Sequence, residues 1–111
     1  HMTLVGRRIA LSDEPPVDGH RPSADVLLSS IARSCGPQGM AIVLSGMGRD
    51  GARGAQQIRE AGGYSVAQSE ESCVIYGMPK AAVQLGGVNQ VLDPAGIVAV
   101  LRHRTKEGGR P

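Results

Sequence analysis

The chain has 111 residues, a formal net charge of +2 and hydrophobic side chains at 41% of its positions. This composition supports one packed domain, or a large part of one. Aromatic residues make up only 2%, and no basic stripe with interleaved aromatic side chains is present, so a role with nucleic acid is not expected. No stretch reaches the roughly 18 consecutive apolar residues of a membrane span, and no signal peptide is visible, so we expect no membrane insertion and a cytoplasmic location.

The two cysteines, Cys35 and Cys73, have neither metal-ligand spacing nor the pattern of a disulfide framework, which fits a reducing compartment. No group of His, Cys and Asp residues has metal spacing either, so we expect neither a metal nor another cofactor. The leading pair His1-Met2 is read as a cloning remnant, and no role is assigned to His1.

The first third of the chain predicts a hairpin followed by a helix. Residues 4–11 contain two short apolar runs separated by Gly6-Arg7-Arg8, which favours a hairpin or two edge strands. Ser23 is a good N-cap and Asp25 follows in the first turn, so a helix is expected from there to the break at Gly36-Pro37.

The middle of the chain predicts one βαβ unit. Residues 40–44 are apolar on both faces, as in a strand buried on both sides of a parallel sheet. The glycine-rich turn 46–51 follows, and then a helix that ends at Gly62-Gly63. Residues 64–67 form the next predicted strand.

The last third continues the alternation of strands and helices. Residues 73–76 are apolar and predict a strand or a buried turn, and Met78-Pro79 begins a helix that runs to Leu85. Residues 88–92 predict a last strand. Asp93 then caps a final helix with one apolar face, formed by Ile97, Val98 and Leu101. The whole pattern over residues 1–111 predicts a three-layer α/β fold with a mostly parallel, doubly wound sheet.

The glycine-rich turn is the strongest functional signal, and one interpretation is a dinucleotide site. Its glycines match G-x-G-x-x-G between a strand and a helix, at Gly46, Gly48 and Gly51. Glu70 or Glu71 lies about 20 residues on, where an acid would contact a ribose. Asp50, however, lies inside the loop that would hold the pyrophosphate, and the two negative charges would repel each other.

Two other interpretations concern Asp50 itself. It could simply cap the helix that follows, with the glycines allowing close packing of helix and strand. Alternatively, a carboxylate at the carboxyl end of a buried strand can accept a hydrogen bond from a histidine and stabilise the imidazolium during acyl transfer. In that case a backbone N–H of the turn could stabilise an oxyanion.

Several segments, in order, resemble the chemotaxis receptor methylesterase (CheB) family. The segments cover residues 19–27, 44–52, 62–63, 67–68 and 72–79, and the resemblance as a whole runs from about residue 16 to residue 101. The resemblance implies hydrolysis of glutamyl methyl esters on the cytoplasmic segments of chemoreceptors, and in some members deamidation of receptor glutamines, by a Ser-His-Asp triad. Asp50 would be the triad aspartate and the Met47 N–H an oxyanion donor, while Gly46, Gly48 and Met78 would contact substrate.

The same resemblance places the family's serine and histidine upstream of the residues that match. This chain is therefore interpreted as the C-terminal part of the catalytic domain, and it is expected to be inactive alone. Within it, Ser45 and Ser72 are candidate nucleophiles and His20 and His103 candidate bases, but none is favoured. An upstream receiver domain is a possible partner, and a sheet edge left exposed would favour self-association. A nucleotide-binding module and a non-catalytic interaction domain remain alternatives.

Overall fold

An antiparallel hairpin begins the chain in the computed structural model, which describes residues 1–108 and the side chains of residues 1–105. Strand β1 (Met2–Val5) pairs with β2 (Arg8–Leu11). Two serine hydroxyls fasten β1 to the helix that follows: Leu4 N–H donates to Ser30 Oγ at 2.8 Å, and Ser34 Oγ donates to the Leu4 carbonyl at 2.9 Å. The hairpin expected from the sequence is confirmed.

Helix α1 (Ala24–Cys35) begins and ends where its capping residues predict. Ser23 has extended backbone, and its hydroxyl accepts a hydrogen bond from Val26 N–H at 3.4 Å. Gly36 ends the helix with φ at 54°, a conformation that favours glycine, and a single 3₁₀ turn follows. The chain then enters the central sheet.

Three parallel strands form that sheet in the order β3-β4-β5: β3 (Met40–Val43), β4 (Tyr64–Gln68) and β5 (Gln90–Leu92). Helix α2 (Ala52–Glu60) connects β3 to β4, and α3 (Met78–Gln84) lies between β4 and β5. Helix α4 (Pro94–Gly108) follows β5, and Asp93 Oδ1 accepts from Gly96 N–H at 2.7 Å in its first turn, as the sequence predicts.

Helices cover both faces of the sheet. Ala41 and Ser65 are register partners and point to the same side. On that side Ser65 Oγ donates to the Ala55 carbonyl of α2 at 2.7 Å. On the opposite side, the guanidinium of Arg104 in α4 lies 4.7 Å from the centre of the Tyr64 ring. The three-layer α/β architecture expected from the sequence is confirmed.

Small aliphatic side chains make up the core between α2 and the sheet. Its buried members are less than about a tenth exposed: Ala41, Val43, Ala52, Ala55, Ile58 and Ala82. Leu28 and Ile31 of α1 pack against this cluster. With no Phe or Trp in the chain, close helix contact depends on alanine and glycine, and α1 packs directly on α2.

Two predictions about apolar segments are wrong. Residues 73–76 form neither a strand nor a buried turn, because only Tyr76 makes a single bridge, to Gly46, and Val74 is 94% exposed. On α4, Ile97 is buried as expected, whereas Val98 and Leu101 are 47% and 38% exposed. Three short strands do not present enough surface to cover a whole helix face.

Candidate active site

The glycine-rich turn lies at the carboxyl end of β3, where open α/β sheets place their sites. It is joined to the loop before α3 by two backbone hydrogen bonds. Gly46 N–H donates to the Ile75 carbonyl at 3.0 Å, and Met78 N–H donates to the Gly46 carbonyl at 2.8 Å. A Cβ on Gly77 would lie 2.6 Å from the Gly46 carbonyl oxygen. Only glycine at position 77 therefore allows the two loops to meet.

Gln68, at the end of β4, also connects the glycine-rich turn to the loop before α3. Its side-chain carbonyl accepts from Ser45 N–H at 2.8 Å, and its amide group donates to the Ser72 carbonyl at 2.9 Å. Gln68 is buried. Sequence reasoning noted it only as part of a family signature, and its structural task could have been suspected from a polar residue ending an otherwise buried strand.

Asp50 points away from its own helix and toward the start of α1. Its Oδ1 accepts from the Ser23 hydroxyl and from Asp25 N–H, both at 3.0 Å, and its Oδ2 accepts from Ala24 N–H at 2.7 Å. The residue is only 9% exposed. A negative charge at this place is favoured by the unpaired amides at a helix N-terminus.

The interpretation of Asp50 as a cap for the helix that follows it is wrong. Helix α2 has Gly51 as its N-cap residue and receives no hydrogen bond from an N-cap side chain. Its first amides are bound by Asp25 of α1, whose Oδ1 accepts from Gly51 N–H at 3.1 Å and from Gly54 N–H at 2.8 Å. Asp50 therefore caps α1, which contains Asp25, and Asp25 caps α2, which begins two residues after Asp50.

The pKa of Asp50 lies below its ordinary value. Burial alone would raise it, but the hydrogen bonds from Ala24 N–H, Asp25 N–H and the Ser23 hydroxyl, together with the charge of the nearby His20, outweigh that effect. Asp50 is therefore a carboxylate at neutral pH. This is the form that can accept a hydrogen bond from an imidazole N–H.

This depressed pKa predicts a loss of stability in acid. The contribution of Asp50 is fully present above its unfolded pKa, about 3.9 for aspartate, and is lost as the pH falls through the lower folded value. Denaturant unfolding at a series of pH values from about 6 to about 3 should show a steeper loss for the wild type than for Asp50→Asn. Parallel pH profiles for the two proteins would contradict this assignment.

The carboxylate has room for one more donor. Ionised aspartate offers about four acceptor positions, and among residues 1–105 three donors reach it, with a single one on Oδ2. Beside it lies a cavity of about 450 Å³, lined by Met2, Pro22, Ser23, Ala24, Leu27 and Asp50. A further donor can therefore approach from this side.

Two histidines lie close to residues around Asp50, namely His1 beside Ser23 and His20 beside Gly48. His1 Nδ1 accepts from Ser23 N–H at 3.2 Å, and its Nε2 lies 2.9 Å from the Pro15 carbonyl, which identifies Nε2 as the protonated nitrogen. His20 is exposed on a tight turn, and a Cβ on Gly48 would lie 4.0 Å from its Nε2. Sequence reasoning gave His1 no role and did not favour His20, because neither proximity is visible in local sequence.

The predicted substrate contacts lie on the turn and at the start of α3, close to one another. Met47 is 78% exposed, and its N–H makes no hydrogen bond to any residue that the structure describes. A Cβ on Gly46 would lie 2.8 Å from Met78 Sδ, so the absence of a side chain there admits the thioether. Gly48 has φ at 98°, which favours glycine. Met47, Met78 and the two glycines therefore form one surface.

The candidate nucleophiles within the chain are bound into loops. Ser45 Oγ donates to the Ile75 carbonyl at 3.1 Å and accepts from Ile75 N–H at 3.0 Å. Ser72 Oγ donates to the Ser69 carbonyl at 2.9 Å. His103 lies on α4 beside Tyr64, on the face of the sheet opposite α2. The structure does not bring any of these residues together with Asp50.

The dinucleotide interpretation fails at the start of α2. A pyrophosphate would need the first amides of that helix, but the Asp25 carboxylate already binds Gly51 N–H and Gly54 N–H. Two negative charges would then compete for one helix end. Within the described residues no group of three or more His, Cys, Asp and Glu side chains could hold a metal ion, and no helix is both long and apolar enough to cross a membrane.

Fold and site together define an open, parallel α/β domain with an ionised aspartate held at the carboxyl end of its strands. The protein-family model described as CheB methylesterase matches residues 1–101. The chain belongs to this family.

Named relatives agree with this assignment. The chain is 52% identical over 88 residues to the protein-glutamate methylesterase/protein-glutamine glutaminase 2 of Koribacter versatilis, covering 79% of this chain and 24% of the relative. It is 47% identical over 102 residues to the protein of that name from Chromohalobacter salexigens, covering 92% and 29%. The crystal structure of the Thermotoga maritima CheB methylesterase catalytic domain superposes with a TM-score of 0.82 at 29% identity, covering 90% of this chain and 54% of that one. The chain thus spans about a quarter of the curated relatives it matches.

Proposed function

We propose that the protein containing this chain hydrolyses glutamyl methyl esters on the cytoplasmic segments of chemoreceptors and releases methanol. The observation that carries the proposal is the Asp50 carboxylate, which is ionised, buried and held by three donors. Asp50 also lines a cavity between the hairpin and the start of α1, with Met2 and Leu27. That is what a triad aspartate needs in order to orient an imidazole. The names of the relatives also support deamidation of glutamine by the same chemistry.

In this proposal Asp50 orients the histidine that acts as the base. The family resemblance places that histidine, like the serine nucleophile, upstream of the residues that match, and we place both outside these 111 residues. The Asp50 carboxylate would accept Nδ1–H of the imidazole and leave Nε2 to take the proton of the serine. Its oxygen attacks the ester carbonyl, methanol leaves with the proton from the imidazolium, and water then hydrolyses the acyl-enzyme.

The glycine-rich turn supplies the remaining groups. The Met47 N–H has no partner among the described residues, and an oxyanion would provide one. Gly46 and Gly48 leave the backbone accessible, and the thioether of Met78 beside Gly46 offers an apolar contact for the methyl ester.

His20 is the competing base, because it lies beside Gly48 and its charge acts on Asp50. Single substitutions to glutamine in the complete catalytic domain test His20 and His1 in turn. The proposal expects His20→Gln and His1→Gln each to retain a substantial rate of methanol release, because the base lies outside these residues. Loss of methanol release in one of the two variants would transfer the role of base to that histidine.

Methanol release from methylated receptor segments tests the proposed activity. The complete protein should release methanol in proportion to the methyl esters supplied. Residues 1–111 alone should release none above the buffer rate, because the Ser45 and Ser72 hydroxyls are bound into loops. Activity of the isolated chain would show that it contains its own nucleophile. Inactivity of the complete protein would instead support a non-catalytic interaction domain.

We also propose a location, a regulator and a self-association surface for this enzyme. Chemoreceptor methylation sites are intracellular, so we place the protein in the cytoplasm, with an upstream receiver domain as its regulator. Strand β3 has no neighbour on its outer side among the described residues. An open strand edge pairs readily with another chain, and residues 1–111 alone should therefore self-associate.

A further inference from the structure

We infer that Asp25 is a positioning residue for the reaction, because its carboxylate fixes the peptide segment that carries Asp50. The inference rests on the proposed function, since it requires Asp50 to be the acid of the triad. Asp25 itself is directed to backbone amides and is not placed in contact with substrate or with an imidazole.

The contacts of the two aspartates are reciprocal. Asp25 Oδ1 accepts from Gly51 N–H at 3.1 Å, and Gly51 directly follows Asp50 in the chain. The backbone N–H of Asp25 donates to Asp50 Oδ1 at 3.0 Å. Each carboxylate therefore binds the backbone beside the other one. A shift of either segment would strain hydrogen bonds at both ends of the pair.

Close packing of α1 on α2 makes the pair rigid. A Cβ on Gly54 would lie 2.5 Å from Leu28 Cβ, and one on Gly51 would lie 3.7 Å from Ala24 Cβ. Gly54 N–H provides the second hydrogen bond to Asp25, at 2.8 Å. The backbone of the Asp50 turn is thus held at the start of α2 by charge-assisted hydrogen bonds, which are stronger than neutral ones.

Loss of the Asp25 carboxylate should therefore change the reaction through geometry. Two amides of α2 would lose their acceptor, and the segment after Asp50 would relax. A misplacement of about 1 Å in a catalytic group can cost about 100-fold in rate. We expect Asp25→Ala to lower kcat by about 10- to 100-fold with little change in KM. A change in KM alone would be a substrate-binding effect and would overturn the inference.

A cap elsewhere in the chain serves as the matched control. Asp93 binds the first turn of α4, where Gly96 N–H donates to Oδ1 at 2.7 Å. Asp93→Ala removes the same kind of interaction and should lower the midpoint of denaturant unfolding. It should leave kcat unchanged. An equal loss of kcat in Asp25→Ala and Asp93→Ala would mean that Asp25 acts only on stability.

The conservative variant keeps the test usable if Asp25→Ala does not fold. Asp25→Asn retains an Oδ1 that can accept from both amides but has no charge. We expect it to fold and to lie between the wild type and Asp25→Ala in kcat. A wild-type kcat in Asp25→Asn, together with failure of Asp25→Ala to fold, would overturn the inference.

A double-mutant cycle with Asp50→Asn decides whether Asp25 acts through Asp50. In the Asp50→Asn background, Asp25→Asn should cost less than about 3-fold in kcat, because residues of one network are not additive. A full additional loss would show that Asp25 works independently of Asp50. A failure of the proposed function would look different from a failure of this inference. If Asp50 is not the triad acid, Asp50→Asn alone would retain activity, whatever the result at Asp25.

Discussion

Asp50→Asn in the complete catalytic domain is expected to lower kcat for methyl-ester hydrolysis by about 10⁴-fold. The asparagine side chain has only one acceptor oxygen, so it cannot accept Nδ1–H of the histidine and also keep the hydrogen bonds that Asp50 now accepts. The imidazole then loses both its orientation and the charge that stabilises its protonated form. KM should change little, since the carboxylate is directed to α1 and not to the turn that would bind substrate.

Asp50→Asn will also lower the stability of the domain, and this loss must be separated from the loss of catalytic rate. The amide nitrogen would face Ala24 N–H, which now donates to Oδ2 at 2.7 Å, and an unsatisfied buried group costs about 1–3 kcal/mol. Rates should therefore be measured at a temperature where circular dichroism shows the variant to be folded. Asp18→Asn, at an exposed ion pair with Arg49, is the control. A rate for Asp50→Asn within about 10-fold of the wild type would remove the triad assignment.

Gly54→Ala is expected to destabilise the domain by about 1–3 kcal/mol, although alanine normally improves a helix interior by about 1 kcal/mol. The added methyl would lie 2.5 Å from Leu28 Cβ and 3.3 Å from Asp25 Cα. Since the first neighbour is a Cβ and the second a backbone atom, neither a rotamer change nor a flexible side chain can relieve the contact. Helices α1 and α2 must move apart, and the hydrogen bonds between Asp25 and α2 lengthen.

Denaturant unfolding measures this effect through the midpoint at an unchanged slope. Arg53→Ala, at the exposed neighbouring position of the same helix, should stay within about 0.5 kcal/mol of the wild type. Methanol release should fall in Gly54→Ala in parallel, because the same contact holds the Asp50 turn. A variant that is more stable than the wild type would mean that the two helices are not packed as tightly as described.

Local sequence predicts those parts of the fold that depend on neighbouring residues. Ser23 and Asp93 mark helix starts correctly because a cap acts within three residues of itself. Gly36 marks a helix end for the same reason. The apolar run 40–44 correctly predicts strand β3, but burial on both faces is found only in part: Ala41 and Val43 on one face are core residues, whereas Met40 and Ile42 on the other are half-buried. These signals involve residues close together in the chain, so the sequence alone is enough to interpret them.

The arrangement around Asp50 could not be predicted in this way. Its partners at Ser23 and Asp25 are 25 to 27 positions away in the chain, and no local pattern records such a distance. The choice of Asp50 came from family resemblance, and its role as a cap for α1 became visible only in three dimensions. The proximity of His1 to Ser23 is hidden for the same reason.

Exposure is harder to predict from sequence than secondary structure. Val74 and Ile75 are apolar and predict a strand or a buried turn, yet they are 94% and 47% exposed. Hydrophobicity alone indicates that a side chain gains from burial, but it does not identify the surface that covers it.

The distance between an imidazole nitrogen and Asp50 Oδ2 in a crystal structure of the complete catalytic domain tests the central claim most directly. We predict that a histidine from outside these 111 residues places Nδ1 about 2.6–3.2 Å from Oδ2, with Nε2 directed to a serine hydroxyl. A structure in which Asp50 binds only the start of α1, with every histidine ring more than about 4 Å from its oxygens, would contradict the account.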